Sequence, residues 1–273
     1  MSTGSGRLTR WRGFLRSLLI YWRPHRQPGL RRLYRPFIRP GDLAFDVGAH
    51  VGDRTAAFAA LGARVVALEP QPSLYAWLRL VLARKPGVTI LDRAVGARPG
   101  QATLAISRAA PTVSTLAEQW RERIGRANPT FRGVRWEDSV SVAVTTLDRL
   151  IDEYGLPSFC KIDVEGFEAQ VLAGLHRPIP AVSIEFVPGA MDVALACIER
   201  LETLGRYQYN AVYGEGRELL MPRWLPAPAM REWLTGVADT GARSGDLYAR
   251  LIAPRETTTT TPESPEANPC RSF

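Results

Sequence analysis

Short apolar runs rich in Val, Ile and Leu alternate along the chain with segments whose apolar positions recur every three or four residues. "LAFDVGA" (43–49) predicts a buried strand, and "DRTAAFAALG" a helix closed by Gly62. "RVVALEP" (64–70) predicts a second strand stopped by Pro70. A helix follows over "PSLYAWLRLVLAR", with proline at its start, where the missing N–H is tolerated. "VTILDRAV" (88–95) predicts a third strand, and "ATLAIS" (102–107) a short fourth near an edge. Residues 108–138 are rich in Arg, Pro and Gly and read as an insertion with some helix around 116–123. "SVAVTTLDRLIDEYG" predicts a strand turning into a helix at Thr146. Strands are then predicted at 159–165, 181–187, 207–214 and 246–253, with helices at 167–175 and 190–204. This alternation predicts an α/β domain with a mostly parallel sheet covered by helices on both faces. In such sheets ligands bind beyond the carboxyl ends of the strands.

Charge divides the chain. The net charge is +8, yet residues 1–39 hold ten arginines and no acidic residue, so the basicity belongs to an N-terminal arm. Within it Leu8, Trp11, Leu15, Leu18 and Trp22 recur at helical spacing with arginines between them, the pattern of a basic amphipathic helix. Such a helix suits an anionic membrane surface or an acidic partner; the plainer reading is a helix docked on the domain edge. Its longest uncharged run, "SLLIYW", is too short to cross a bilayer. Three scattered cysteines suggest neither a disulfide framework nor a zinc site. A cytoplasmic location is expected, with membrane association through the arm as the variant. The expected organisation is an arm at 1–39, a catalytic domain at 40–254 and a polar, proline-rich, disordered tail at 255–273.

The first strand ends in "FDVGAHVGDRT". Gly48 and Gly52 permit a tight turn and close approach to a ligand. The run G-A-H-V-G lacks the second glycine of a dinucleotide fingerprint. Asp46 precedes the loop, and a carboxylate there suits a cationic ligand better than a diphosphate. Glu69 ends the second strand, where it can accept hydrogen bonds from ribose hydroxyls. Together these point to S-adenosylmethionine rather than NAD. Asp92, at the end of the third strand, is a candidate for the adenine edge.

A second cluster of charge lies in "FCKIDVEGFEAQVL" (159–172). Lys161 is one of only two lysines, and Asp163, Glu165 and Glu168 follow it closely. Charges in an apolar strand are costly unless paired or used.

The segments "FDVGAHVGDRT", "VVALEPQPSLY", "LDRAVGARPGQATLAI", "VAVTTLDRLIDEYG", "KIDVEGFEAQVLAGL" and "VSIEFV", in that order, resemble the FkbM-type methyltransferases. The likeness covers about residues 40–190, and "TTLDRL" with "KIDVEGFE" is its most specific part. The resemblance implies a class I, Rossmann-like methyltransferase fold with a seven-stranded sheet whose last strand is antiparallel. It implies S-adenosylmethionine as donor, transfer to oxygen, and acceptors among sugars and secondary metabolites. It places Asp46, Gly48, His50 and Gly52 in the cofactor loop, Glu69 on the ribose, and residues 163–168 in an acidic motif of the family's own. Arg98 and "RLVLARKPG" depart from the family pattern.

In that sheet the strand of Lys161 neighbours the strand of Asp46, and Lys161, Asp163 and Glu165 share a face if the strand stays regular. Methyl transfer requires alignment of the acceptor oxygen and removal of its proton. Asp163 or Glu165 is the expected base or hydroxyl holder, with Lys161 tuning them; His50 and His176 are further candidates. A buried Lys161–Asp163 pair that only fixes the strand is the plainer alternative. Asp163, Glu165 and Glu185 could also bind Mg²⁺ through oxygens. Ser114, Thr115, Tyr213, Trp224 and Trp233 are candidates for the acceptor pocket, with surface or core packing as the equal alternative for each. The rival functions are methylation of RNA or protein, and a non-catalytic binding protein on the same fold.

Overall fold

The structure is a computed structural model, and it describes residues 22, 26–239 and 244–254. The predicted amphipathic helix, Trp22 apart, and the predicted tail lie outside the described residues.

In chain order the elements are α1 (Arg26–Tyr34), β1 (Leu43–Val47), α2 (Asp53–Ala60), β2 (Arg64–Leu68), α3 (Pro72–Leu82), β3 (Val88–Leu91), β4 (Arg93–Val95) and β5 (Gly100–Ile106). Then come α4 (Glu118–Ala127), β6 (Asp138–Thr145), α5 (Leu147–Tyr154), β7 (Phe159–Ile162), α6 (Glu168–Ala173), β8 (Ala181–Phe186), α7 (Met191–Leu204), β9 (Gly205–Tyr213), β10 (Leu225–Pro226), α8 (Ala227–Asp239) and β11 (Gly245–Pro254). Short 3₁₀ turns stand at Pro111–Val113 and Pro129–Phe131.

The main sheet has the order β10-β9-β11-β8-β7-β1-β2-β3. β3, β2, β1, β7 and β8 run parallel, and β11 lies antiparallel between β8 and β9. Seven strands thus follow the expected plan, and the two-residue β10 pairing with β9 makes an eighth. The switch point falls between β1 and β7, where the chain leaves one strand for α2 and the other for α6.

Strand alternation sorts the core into two faces. Phe45, Val47, Cys160 and Ile162 pack with α5, α6, α7 and α8. Ala44, Val65, Phe159 and Tyr248 face α1 and α2, where Tyr34 and Phe58 meet edge to face at 4.7 Å. α1 supplies Leu30, Leu33 and Tyr34 to this face, all buried. The domain edge expected at residue 39 therefore falls inside the packed unit, which already includes α1.

Other boundaries shift for local reasons. The strand expected at 88–95 is two strands in two sheets: the chain breaks at Asp92, and β4 joins β6 and β5 in a separate three-stranded sheet. Thr146 caps α5, its hydroxyl accepting the Arg149 N–H at 3.2 Å, as the sequence predicts. The strand expected at 159–165 stops at Ile162, because Glu165 and Gly166 both take positive φ (54° and 89°). Among the described residues no helix is long and apolar enough to cross a membrane.

Candidate active site

A cleft of about 1000 Å³, part of it open to solvent, lies over the carboxyl ends of β1, β2, β7 and β8. Asp46, Gly48, His50, Glu69, Lys161, Asp163 and Glu165 all line it, joined by Glu185 from the end of β8. Seven carboxylates (Asp46, Asp53, Glu69, Asp163, Glu165, Glu185 and Glu215) face three fixed cations (Arg54, Arg93 and Lys161). An excess of negative charge in a cleft attracts cations and repels phosphates.

The β1 side is tightly braced. The N–H groups of Gly48 and Ala49 both donate to the Leu68 carbonyl, at 3.0 and 2.9 Å, tying the loop to the end of β2. Gly48 has φ 82°, and a Cβ there would stand 1.9 Å from the Asp163 carbonyl oxygen. Gly52 has φ 85°, and its Cβ would strike Leu78 and Leu82 on α3. The two glycines thus let the loop pack closely on β7 and α3. Gly52 itself does not line the cleft.

Glu69 is buried and accepts two backbone N–H groups, His50 at 2.8 Å and Gln71 at 2.9 Å. Burial pushes its carboxyl up to about 7, against the lowering effect of those amides. Asp46 is buried and accepts the Thr55 hydroxyl at 2.5 Å; burial raises it to about 6. Burial also lowers the His50 imidazole to about 4, so His50 is neutral near pH 7. Asp92 is exposed at the break between β3 and β4 and does not reach the cleft. The chain turns into the second sheet there, as β4 pairs with β6.

The β7 side is built differently. Lys161 is only 2% exposed; its ammonium bonds Asp163 at 2.7 Å and approaches Asp246 of β11 at 3.6 Å. Burial alone would raise Asp163, but the Lys161 charge prevails and holds it below the usual carboxylate range. Asp163 is fixed by its own N–H, which donates to the Val47 carbonyl at 3.0 Å. Beyond it the chain turns. The Glu168 carboxylate accepts the Val164 and Gly166 N–H groups, at 2.9 and 3.2 Å, and the Thr115 hydroxyl donates to the Glu165 carbonyl at 2.7 Å. These bonds hold Glu165 in its left-handed conformation, which a side chain other than glycine rarely adopts without support. Glu165 therefore reaches the cleft from a braced turn, not from the strand face expected for it.

One carboxylate oxygen each from Asp163, Glu165 and Glu185 lies within 4.8 Å of the other two. Glu165 Oε2 and Glu185 Oε2 are shut from solvent without a hydrogen-bond partner. Burial, then the charge of Asp163, pushes Glu165 well above the usual range; burial, then Glu165, does the same to Glu185.

Several candidates fall elsewhere. His176 is exposed and pairs with Asp148 at 2.7 Å, outside the cleft. Tyr213 and Trp233 pack against Phe186 in the core, and Trp224 lies under Arg250. These aromatics do not line the cleft. Ser114 and Thr115 do, with the Ser114 hydroxyl bonded to Gln71 at 2.8 Å. The sequence reading passed over Asp53, Arg54, Glu215 and Asp246. Arg54 bonds Asp53 at 2.6 Å and Glu215 at 2.9 Å, and Glu215 also holds Arg26 of α1. Asp53 and Arg54 stand inside the quoted loop motif and were legible there. Glu215 and Asp246 carry no local signal.

The strand order and the loop after β1 define the doubly wound α/β class of the class I methyltransferases. Residues 46–209, more than half of the chain, match the methyltransferase FkbM domain, and the chain belongs to that family. The chain is also similar to several solved structures. A TehB-like SAM-dependent methyltransferase from Corynebacterium glutamicum is 14% identical, with 82% of this chain and 87% of that chain covered and a TM-score of 0.40. A precorrin-6Y C5,15-methyltransferase from Geobacter metallireducens is 13% identical, covering 83% and 87%, with a TM-score of 0.42. An O-methyltransferase from Bacillus cereus in complex with SAH is 12% identical, covering 84% and 81%, with a TM-score of 0.40. No curated protein matches the chain significantly.

Proposed function

We propose that the protein transfers a methyl group from S-adenosylmethionine to a hydroxyl of a sugar, a glycan or a small secondary metabolite. The observation that carries this reading is the meeting, in one cleft, of Asp46 and Glu69 with the carboxylates of Asp163, Glu165 and Glu185. The donor lies on the β1 side. Asp46 faces its cationic amine, and Glu69 accepts from the ribose hydroxyls while its existing bonds hold the loop. The acceptor lies on the β7 side. Its oxygen attacks the methyl carbon, a C–O bond forms, and the S–CH₃ bond breaks with the electron pair going to sulfur.

The alcohol proton must leave as that bond forms. Glu165 suits the role of base better than Asp163. Asp163 is tied to Lys161 and held acidic, whereas burial and neighbouring charge make the Glu165 carboxylate more basic. Asp163 then orients the acceptor, and Lys161 keeps Asp163 ionised. Nucleic acid is disfavoured as acceptor, because seven carboxylates line the cleft and phosphates would be repelled.

The test is transfer from labelled S-adenosylmethionine to hydroxyl-bearing acceptors, sugars and polyketide alcohols first, with RNA and protein as controls. Label on a hydroxyl oxygen supports the reading; label confined to nitrogen, carbon, RNA or protein contradicts it.

A further inference from the structure

We propose that Asp163, Glu165 and Glu185 form a binding site for a hard divalent cation of the Mg²⁺ or Ca²⁺ class. Three carboxylate oxygens from separate residues converge within 4.8 Å of one another. Oxygens on opposite sides of one Ca²⁺ stand about 4.6–5.2 Å apart, and about 4.0–4.2 Å around Mg²⁺, twice the metal–oxygen distance. An upper bound of 4.8 Å is compatible with all three oxygens sharing one such ion, and it does not rank Ca²⁺ against Mg²⁺.

A second, independent observation concerns donors. Glu165 and Glu185 each carry an oxygen that is closed to solvent and has no hydrogen-bond partner. Buried polar atoms are nearly always satisfied, and an exception calls for a missing water or ion. Lys161, the cation bonded to the cluster, engages Asp163 Oδ2 and leans toward Asp246. Its hydrogen bond goes to Asp163 rather than to either glutamate. Everything about the neighbouring carboxylates differs: Glu69 accepts two amides, Asp46 a hydroxyl and Glu168 two amides. Among the described carboxylates of the cleft, Glu165 and Glu185, which converge with Asp163, are the two with a buried oxygen that lacks a donor. All-oxygen, all-anionic ligation selects a hard cation over zinc or copper.

The ligands also come from braced backbone. Asp163 hangs from the Val47 carbonyl, Glu165 sits in the turn held by Glu168 and Thr115, and Glu185 belongs to β8. The site is open to the cleft, so the ion keeps positions for water and for an acceptor hydroxyl. A hydroxyl bound there is more acidic and already aligned. This last role rests on the proposed function; ion binding does not.

The experiment is calorimetric titration of chelator-stripped full-length protein with MgCl₂ and with CaCl₂, in the presence of S-adenosylhomocysteine, alongside thermal melts. The expected result is one ion per chain and a melting temperature raised by the ion. Glu165→Gln and Glu185→Gln should each weaken binding at least about tenfold, the loss of a charged ligand. Without metal both variants should melt at or above the wild type, since each removes a repelled charge, and the ion should no longer raise the melt. A folded variant that has lost the ion response therefore supports the site. Absence of binding to the wild type, or binding that survives both substitutions, overturns it. Donor binding measured in the same series separates the two readings. Ion binding with no transfer to hydroxyls leaves this site standing and removes the function. Transfer to hydroxyls unaffected by chelation, with no ion bound, does the reverse.

Discussion

The two sides of the cleft handle buried carboxylates in opposite ways. On the β1 side the carboxylates already have donors: Asp46 takes a hydroxyl and Glu69 takes two backbone amides. On the β7 side only Asp163 has a cation, and Glu165 and Glu185 face one another with unsatisfied oxygens. An unpaired buried charge costs several times what a satisfied one does, so it persists only where something else requires it. The first side is a finished binding surface that holds its loop in shape. The second is completed by what enters it. On the proposed function, this is the division between a donor site and a reacting site.

The largest effect should come from the unfinished side. Glu165→Gln is expected to lower turnover by about 10²–10⁴-fold, the usual worth of a positioned base, with donor affinity unchanged within about twofold. Steady-state rates together with donor calorimetry check this. Next, Lys161→Met leaves Asp163 and Asp246 facing each other without a cation. Breaking a buried pair costs about 3–5 kcal/mol, and the lower end applies because Asp163 is 32% exposed on its side chain. Denaturant titration reads that loss. A smaller effect is expected from Gly48→Ala. The added Cβ meets the Asp163 carbonyl at 1.9 Å, so loop and turn must part, at a cost of about 1–3 kcal/mol. Because this residue joins the two sides, donor affinity and turnover should fall together.

The smallest effect is that of pH. Glu69 stands at about 7 and Asp46 at about 6, both raised by burial. The donor's hydroxyls and amine prefer the ionised carboxylates, so donor affinity should fall as pH drops below about 7, approaching tenfold per unit. For the free protein the sense is opposite. Glu69 rises on folding from 4.5 to about 7, so the fold holds that proton more tightly than the unfolded chain. Its contribution to stability is complete below pH 4.5 and is lost as pH rises to about 7. Calorimetry at pH 5.5 and pH 8, in roughly matched ionic strength, measures the first effect.

Much of this was legible because it is local. Asp46, the glycine loop and Glu69 sit at the ends of two strands with clear apolar runs, and Thr146 caps a helix at the position its spacing marks. The family likeness supplied the antiparallel last strand. Less legible was whatever depends on long-range pairing. The break at Asp92 is set by β4 pairing with β6, some fifty residues away, not by any residue in "VTILDRAV". Asp246 reaches Lys161 only because β11 inserts beside β8. The left-handed turn at Glu165 has no signature in a residue type that ordinarily avoids it, and its cause lies in Glu168 and in Thr115, far back in the chain. The aromatics near 213–233 suit a pocket wall or a core equally, because composition cannot distinguish the two.

The central claim is that the cleft separates donor binding from acceptor chemistry. Calorimetry of S-adenosylhomocysteine binding to Asp46→Asn and Glu165→Gln, side by side, tests it most directly. The account predicts a loss of at least about tenfold for Asp46→Asn, the value of one charge-assisted contact, and a change within about twofold for Glu165→Gln. Equal losses in both variants, or a loss confined to Glu165→Gln, would contradict it.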